Sequence, residues 1–111
     1  MEREILESDW KLLRELRPLA LNRFCERVLA EVSRLAADAS RSSHERYLAL
    51  FKLLHGRDEE LGDAFNNPRR STAEVQLAHI RFQELLTDEE FARFSPETRA
   101  SVQVILDMWR A

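Results

Sequence analysis

The sequence predicts an all-α protein: a compact bundle or orthogonal array of about five helical segments, led by a long, kinked first helix. Three observations predict it. Apolar residues recur at steps of three and four through most of the chain, which is the period of one helical face. Serine or threonine stands three residues before glutamate at Ser42, Ser71 and Thr87, the spacing in which the two residues satisfy each other's backbone N–H at a helix start. Two glycines and three prolines in 111 residues leave little room for long irregular loops.

The first helix is read from Trp10, Leu13, Leu21, Phe24, Val28, Val32 and Leu35, with Ala20 in phase. Ser8 is its expected cap, and Asp9 in the first turn complements its dipole. Pro18 removes a backbone donor and strands the Arg14 carbonyl, but the stripe keeps its phase across it, so one kinked helix is expected rather than two. Asp38 to Glu45 is a polar connection that closes on the Ser42/Glu45 capping box. The second helix carries Tyr47, Leu50, Leu54, Leu61 and Phe65. It passes through Gly56, bent or briefly interrupted, because glycine costs only about 1 kcal/mol relative to alanine inside a helix. Asn67 and Pro68 stop it near Asn66.

Ser71/Glu74 opens a third helix with Val75, Ala78, Phe82 and Leu85 on its face, and Thr87/Glu90 opens a short one through Phe91 and Phe94. Ser95 followed by Pro96 is a cap with proline at the first helical position. It begins a final helix with Val102, Ile105, Leu106 and Trp109 on one side. SVQVIL alone could pass for a strand; the start signal and the spacing to Trp109 decide for helix. The expected core comprises Leu13, Phe24, Val28, Leu50, Leu54, Phe82, Ile105 and Leu106, and residues 1–111 are expected to form one helical domain.

Composition narrows function mainly by exclusion. A formal charge of −3 supplies none of the global attraction to phosphate backbones of a general nucleic-acid binder. Cys25 is the sole cysteine, which precludes an internal disulfide and a cysteine-cluster zinc site. The charged N-terminus lacks the apolar centre of a secretory signal and no apolar run reaches membrane-spanning length, so a cytoplasmic protein without membrane partners is expected.

His44, His55 and His79 fall on different segments and form neither H-x-x-x-H nor H-E-x-x-H, so no metal site is expected. His55 and Glu59, four apart, read as an exposed ion pair, and His79 as a hydrogen-bonded histidine at the core edge. Cys25 lies on the apolar stripe as an inert small hydrophobe. The acidic runs Asp58-Glu59-Glu60 and Asp88-Glu89-Glu90 resemble the carboxylate pairs of glycosidases only in composition; solvated or dipole-complementing roles fit them better. With Gly56 and Gly62 alone there is no phosphate loop, nucleophile elbow or dinucleotide fingerprint, and no cofactor is expected. A helix-turn-helix reading fails on its acidic reading helix, DEEFARF.

Two function classes remain. The first is a non-catalytic protein–protein interaction or scaffolding module, in its simplest form a homodimer through the first helix, because the aromatic and leucine content exceeds what the buried faces need. The second is an anion-binding protein or an enzyme with a site near Arg69, Arg70, Ser71 and Thr72. There, two guanidinium groups precede a helix start whose N–H groups can accept a phosphate or carboxylate. The competing accounts of those arginines are neutralisation by Asp58, Glu59, Glu60 or Asp63 across the Asn67-Pro68 turn, or plain solvation.

Overall fold

The computed structural model describes residues 4–111; Met1–Arg3, the start of the charged N-terminal stretch, lie outside them. The described residues form five α-helices, α1 (Glu7–Ala36), α2 (Ser43–Phe65), α3 (Ala73–Phe82), α4 (Asp88–Phe91) and α5 (Pro96–Arg110), with a 3-10 turn at Arg70–Thr72 ahead of α3. They contain no strand, and no helix among them is long and apolar enough to cross a membrane. α1 and α2 pair as an antiparallel hairpin, and α3 is enclosed between α2 and α5.

Three of the predicted starts form as read. Ser42 and Glu45 complete a capping box at α2, Thr87 and Glu90 complete one at α4, and the Ser95 hydroxyl accepts the Thr98 N–H at α5, where Pro96 takes the first position. Two do not. α1 begins one residue before Ser8 with Leu6 at the cap position and no side-chain cap. Its start is fixed instead by Ile5 and Trp10, which both join the core at the spacing of a hydrophobic staple. Nor does the Ser71/Glu74 box form: the chain enters α3 through the 3-10 turn, with Thr72 at the cap position and no side-chain cap there. α1 runs unbroken through Pro18, and α2 through Gly56. α4 ends at Phe91, short of Phe94.

The helix C-termini show how this arginine-rich chain closes its backbone accounts. The last carbonyls of a helix have no intrahelical donor. Arg46 donates to the Ala36 carbonyl at the end of α1 (2.7 Å) and Arg17 to the Phe65 carbonyl at the end of α2, where Gln76 donates to Asn66 O (2.7 Å). Beyond α3, Arg27 reaches the carbonyls of Gln83 and Glu84, Arg23 that of Leu85 (2.9 Å) and Arg81 that of Leu86 (3.0 Å). Arg99 serves Phe94 O (3.0 Å). α3 itself ends on Glu84 with φ 58°, whose N–H bonds Arg81 O while Leu85 N–H reaches Ile80 O (3.1 Å). This is the double-bonded left-handed cap for which glycine is the usual residue.

The core gathers around the first half of α1. Leu13, Leu16, Ala20 and Phe24 meet Ala64 and Phe65 from the end of α2, Leu77 and Ile80 from α3, Phe91 and Phe94, and Val102 and Leu106 from α5. Of the expected core, Leu13, Phe24 and Leu106 are buried, and Val28, Leu50 and Ile105 are partly so. Leu54 and Phe82 are not: they are 48% and 46% exposed. For Phe82 the reason is that α3 carries two apolar rows, and its position between α2 and α5 buries Ala73, Leu77 and Ile80 rather than Val75 and Phe82. For Leu54 it is that the hairpin outruns the core. No residue of α1 beyond Phe24 and no residue of α2 before Ala64 is buried. The result is an elongated molecule of 53 × 25 × 24 Å whose α1/α2 hairpin projects as a two-helix arm.

Candidate functional site

Arg69–Thr72 is the candidate anion site of the alternative reading. Arg70 is held against α1: its guanidinium pairs with Glu7 at 2.8 Å and lies 5.9 Å from the Trp10 ring centroid. The neutralising carboxylate is therefore Glu7, at the start of α1, and not Asp58, Glu59, Glu60 or Asp63 on the preceding helix. Arg69 is exposed, and its carbonyl accepts from both the N–H and the hydroxyl of Thr72. Ser71 is exposed beside it.

The other singled-out residues stay apart. His55 contacts exposed Glu59 (3.4 Å) and stacks on Phe51, while His79 packs against Trp109 with ring centroids 4.5 Å apart and the planes tilted by 35°. No cluster of three or more histidine, cysteine or acidic side chains suited to a metal occurs among the described residues. Glu90 receives both a bidentate contact from Arg23 (2.7 and 3.1 Å) and the Thr87 N–H (2.8 Å). These bonds hold its carboxyl down at about 2 and push the Arg23 guanidinium upward. Asp9 is buried at 3% exposure and accepts from the Ser95 N–H (2.9 Å), the Ser95 hydroxyl (2.5 Å) and the Thr98 hydroxyl (2.7 Å). Both carboxylates join helices, Glu90 tying α4 to α1 and Asp9 tying α1 to α5.

The feature with room for a partner is the arm. Its two helices are clamped by Arg57, which donates to Glu31 across the hairpin (2.9 and 3.1 Å) and to Glu60 on its own helix (3.0 Å). The bond to Arg57 holds the Glu31 carboxyl below its ordinary range. Beside this clamp the arm presents apolar side chains to solvent. Tyr47, Phe51 and Leu54 follow one another at helical spacing along α2 and Leu29 is exposed on α1; Leu61 on α2 and Cys25 and Val32 on α1 continue the two rows half-buried, Leu61 and Cys25 packing against the core. Phe51 is 68% exposed, Tyr47 67% and Leu29 64%. Between the two rows runs an open groove of about 230 Å³, lined by Phe24, Cys25, Val28, Leu29, Leu54 and Leu61 with Arg57 and Asp58 at its edge. The period of α2 was legible in the sequence, but the exposure of the stripe was not, because it depends on where the third layer of helices stops.

Comparison with protein-family models, curated proteins and solved structures returns no match to this chain.

Proposed function

We propose that this chain is a non-catalytic, cytoplasmic protein–protein interaction module whose docking surface is the apolar face of the α1/α2 arm. One observation carries the reading: Leu29, Tyr47, Phe51 and Leu54, all large and apolar, are exposed on the arm, Leu29 and Leu54 as walls of one groove and Tyr47 and Phe51 beyond it towards the tip, although a core was available a few turns away. Contiguous apolar surface of this kind carries a solvation cost that association removes. Aromatic anchors next to a groove are also the usual composition of an interface centre.

An anion site at Arg69, Arg70, Ser71 and Thr72 is the weaker reading, because Arg70 is already engaged by Glu7 and Trp10. The test of the interaction reading is a photo-crosslinking amino acid placed at Phe51 and, separately, at exposed Ala100 in cells making the full chain. Adducts are expected at the arm and not at Ala100. Their absence at Phe51 removes the proposal.

A further inference from the structure

The apolar face of the arm carries two kinds of feature, and they complement each other. Towards the tip, Tyr47 and Phe51 are two-thirds exposed, the Phe51 ring stacked on His55; towards the base lies the groove whose α2 wall is Leu54, Asp58 and Leu61. Phe51 and Asp58 are two turns apart, so projection and groove are displaced by roughly 10 Å along one helix. A projection and a matching groove on the same face are what a two-fold interface between identical chains requires, since each copy then fills the other.

Resting on the reading of the arm as a docking surface, we infer that its occupant is a second copy of this chain. The two arms lie antiparallel, so that Phe51 and Tyr47 of each enter the groove of the other.

The row from Tyr47 to Leu61 has Leu54 at its middle. A two-fold axis there sets Leu54 against its copy, Tyr47 against Leu61, and Phe51 against the Arg57–Asp58 turn. A parallel pair would set aromatics against aromatics and leave both grooves unfilled. It would also bring the two Asp58 carboxylates, the one charged position in the row, face to face. The antiparallel pair instead sets Asp58 within a turn of the Tyr47 hydroxyl of the copy, which can donate to it.

The area is of the right order. Leu29, Tyr47, Phe51 and Leu54 together leave on the order of 500 Å² exposed, so a pair of arms buries on the order of 1,000 Å² in total, the lower bound of a specific interface and the size of a weak, concentration-dependent dimer. Pairing also supplies each hairpin with the second layer of helices that the single chain lacks, giving a four-helix arrangement.

Two measurements on the purified full chain test this. In sedimentation across a micromolar concentration series, the wild type should reach twice the 13.1 kDa chain mass. The Phe51→Glu, Leu54→Glu variant should stay at the single mass with its helical circular dichroism unchanged. In a Cys25→Ser background under mild oxidation, Leu54→Cys should cross-link to its own copy. Tyr47→Cys and Leu61→Cys should each fail alone, and a mixture of the two should succeed.

A wild type that remains monomeric throughout overturns the self-pairing. So does cross-linking at Tyr47→Cys alone as efficient as at Leu54→Cys. If the chain is monomeric while the Phe51 photo-adducts carry another protein's mass, self-pairing falls and the interaction reading stands; monomers without arm adducts remove both.

Discussion

Replacing Asp9 by alanine should cost about 3–4 kcal/mol, the largest effect expected of any single polar substitution in this chain. The carboxylate is buried and ties the first turn of α1 to the first turn of α5 through Ser95 N–H, Ser95 Oγ and Thr98 Oγ1, at 2.9, 2.5 and 2.7 Å. Thr98 is fully buried, so truncation leaves its hydroxyl without this acceptor, a loss of about 2 kcal/mol for an unpaired buried donor. Removing an anion from the N-terminus of α5 adds about 1–2 kcal/mol in a partly buried setting. Against the 5–15 kcal/mol typical of a domain this is a substantial fraction. At about 4–8 °C per kcal/mol it lowers the melting temperature by more than about 12 °C.

Urea titration followed by far-ultraviolet circular dichroism should show a lower midpoint at an unchanged slope. The Thr98→Val variant closes a double-mutant cycle. With the hydroxyl gone, Asp9→Ala should cost less than in the wild type, so the two changes should sum to more than the double variant. A loss below about 1 kcal/mol for Asp9→Ala, or strict additivity, would refute the argument that the penalty resides in the stranded hydroxyl.

Four further outcomes are expected. Gly56→Ala should stabilise the chain by about 1 kcal/mol in denaturant melts, since an added Cβ meets no atom within 4 Å in the middle of α2. Glu84→Gly should also stabilise by about 1 kcal/mol, because Glu84 holds φ 58° at the end of α3; a loss would show that its side chain matters more than its backbone. The folded Glu90 carboxyl titrates at about 2, below the 4.5 of the free group, so its contribution is complete above the unfolded value and is lost as pH falls from about 4.5 through about 2. Because both side chains are partly exposed, that contribution is about 1–2 kcal/mol. Glu90→Gln should therefore lower stability at neutral pH and have little effect near pH 2, and an equal deficit at both would refute the assignment. Phosphate titration should give the same negligible binding to the wild type and to the Arg69→Ala, Arg70→Ala double variant; saturable binding lost in the variant would restore the anion site.

What could be read from the sequence was local. The boxes at Ser42/Glu45 and Thr87/Glu90 and the Ser95-Pro96 start depend on atoms within three residues of each other, and they form as read. Ser71/Glu74 has the same spacing and does not form: the chain enters α3 through a 3-10 turn, with Thr72 rather than Ser71 at the cap position. Position is not local. Periodicity placed Leu54 on an apolar stripe correctly but could not say that α3 and α5 stop short of it, and it could not choose between the two apolar rows of α3. Asp9 reads in the sequence as complementing the dipole of its own helix, whereas in the fold it accepts hydrogen bonds from Ser95 and Thr98. No sequence signal marks a carboxylate that will cap a helix some 90 residues away.

The arginines connect these observations to the functional reading. Neither glycine of the chain takes the left-handed conformation, so no described helix ends in the glycine that would satisfy its last carbonyls. Planar guanidinium groups with several donors replace it: Arg46, Arg17, Arg27, Arg23, Arg81 and Arg99 each serve carbonyls at or just beyond a helix end. Arg57 and Arg70 are spent on Glu31, Glu60 and Glu7. An arginine committed in this way adds little to a field that could gather phosphates, so these eight arginines are accounted for by the fold itself. The exposed apolar row of the arm has no such account. Closing a helix end needs donors and clamping the hairpin needs one Arg57, but neither needs Tyr47 and Phe51 to stand in water. Because Arg57 and the Ser42 cap already hold the hairpin in shape, a partner meeting that row has little ordering entropy to overcome, which is the condition under which a modest apolar area suffices for association.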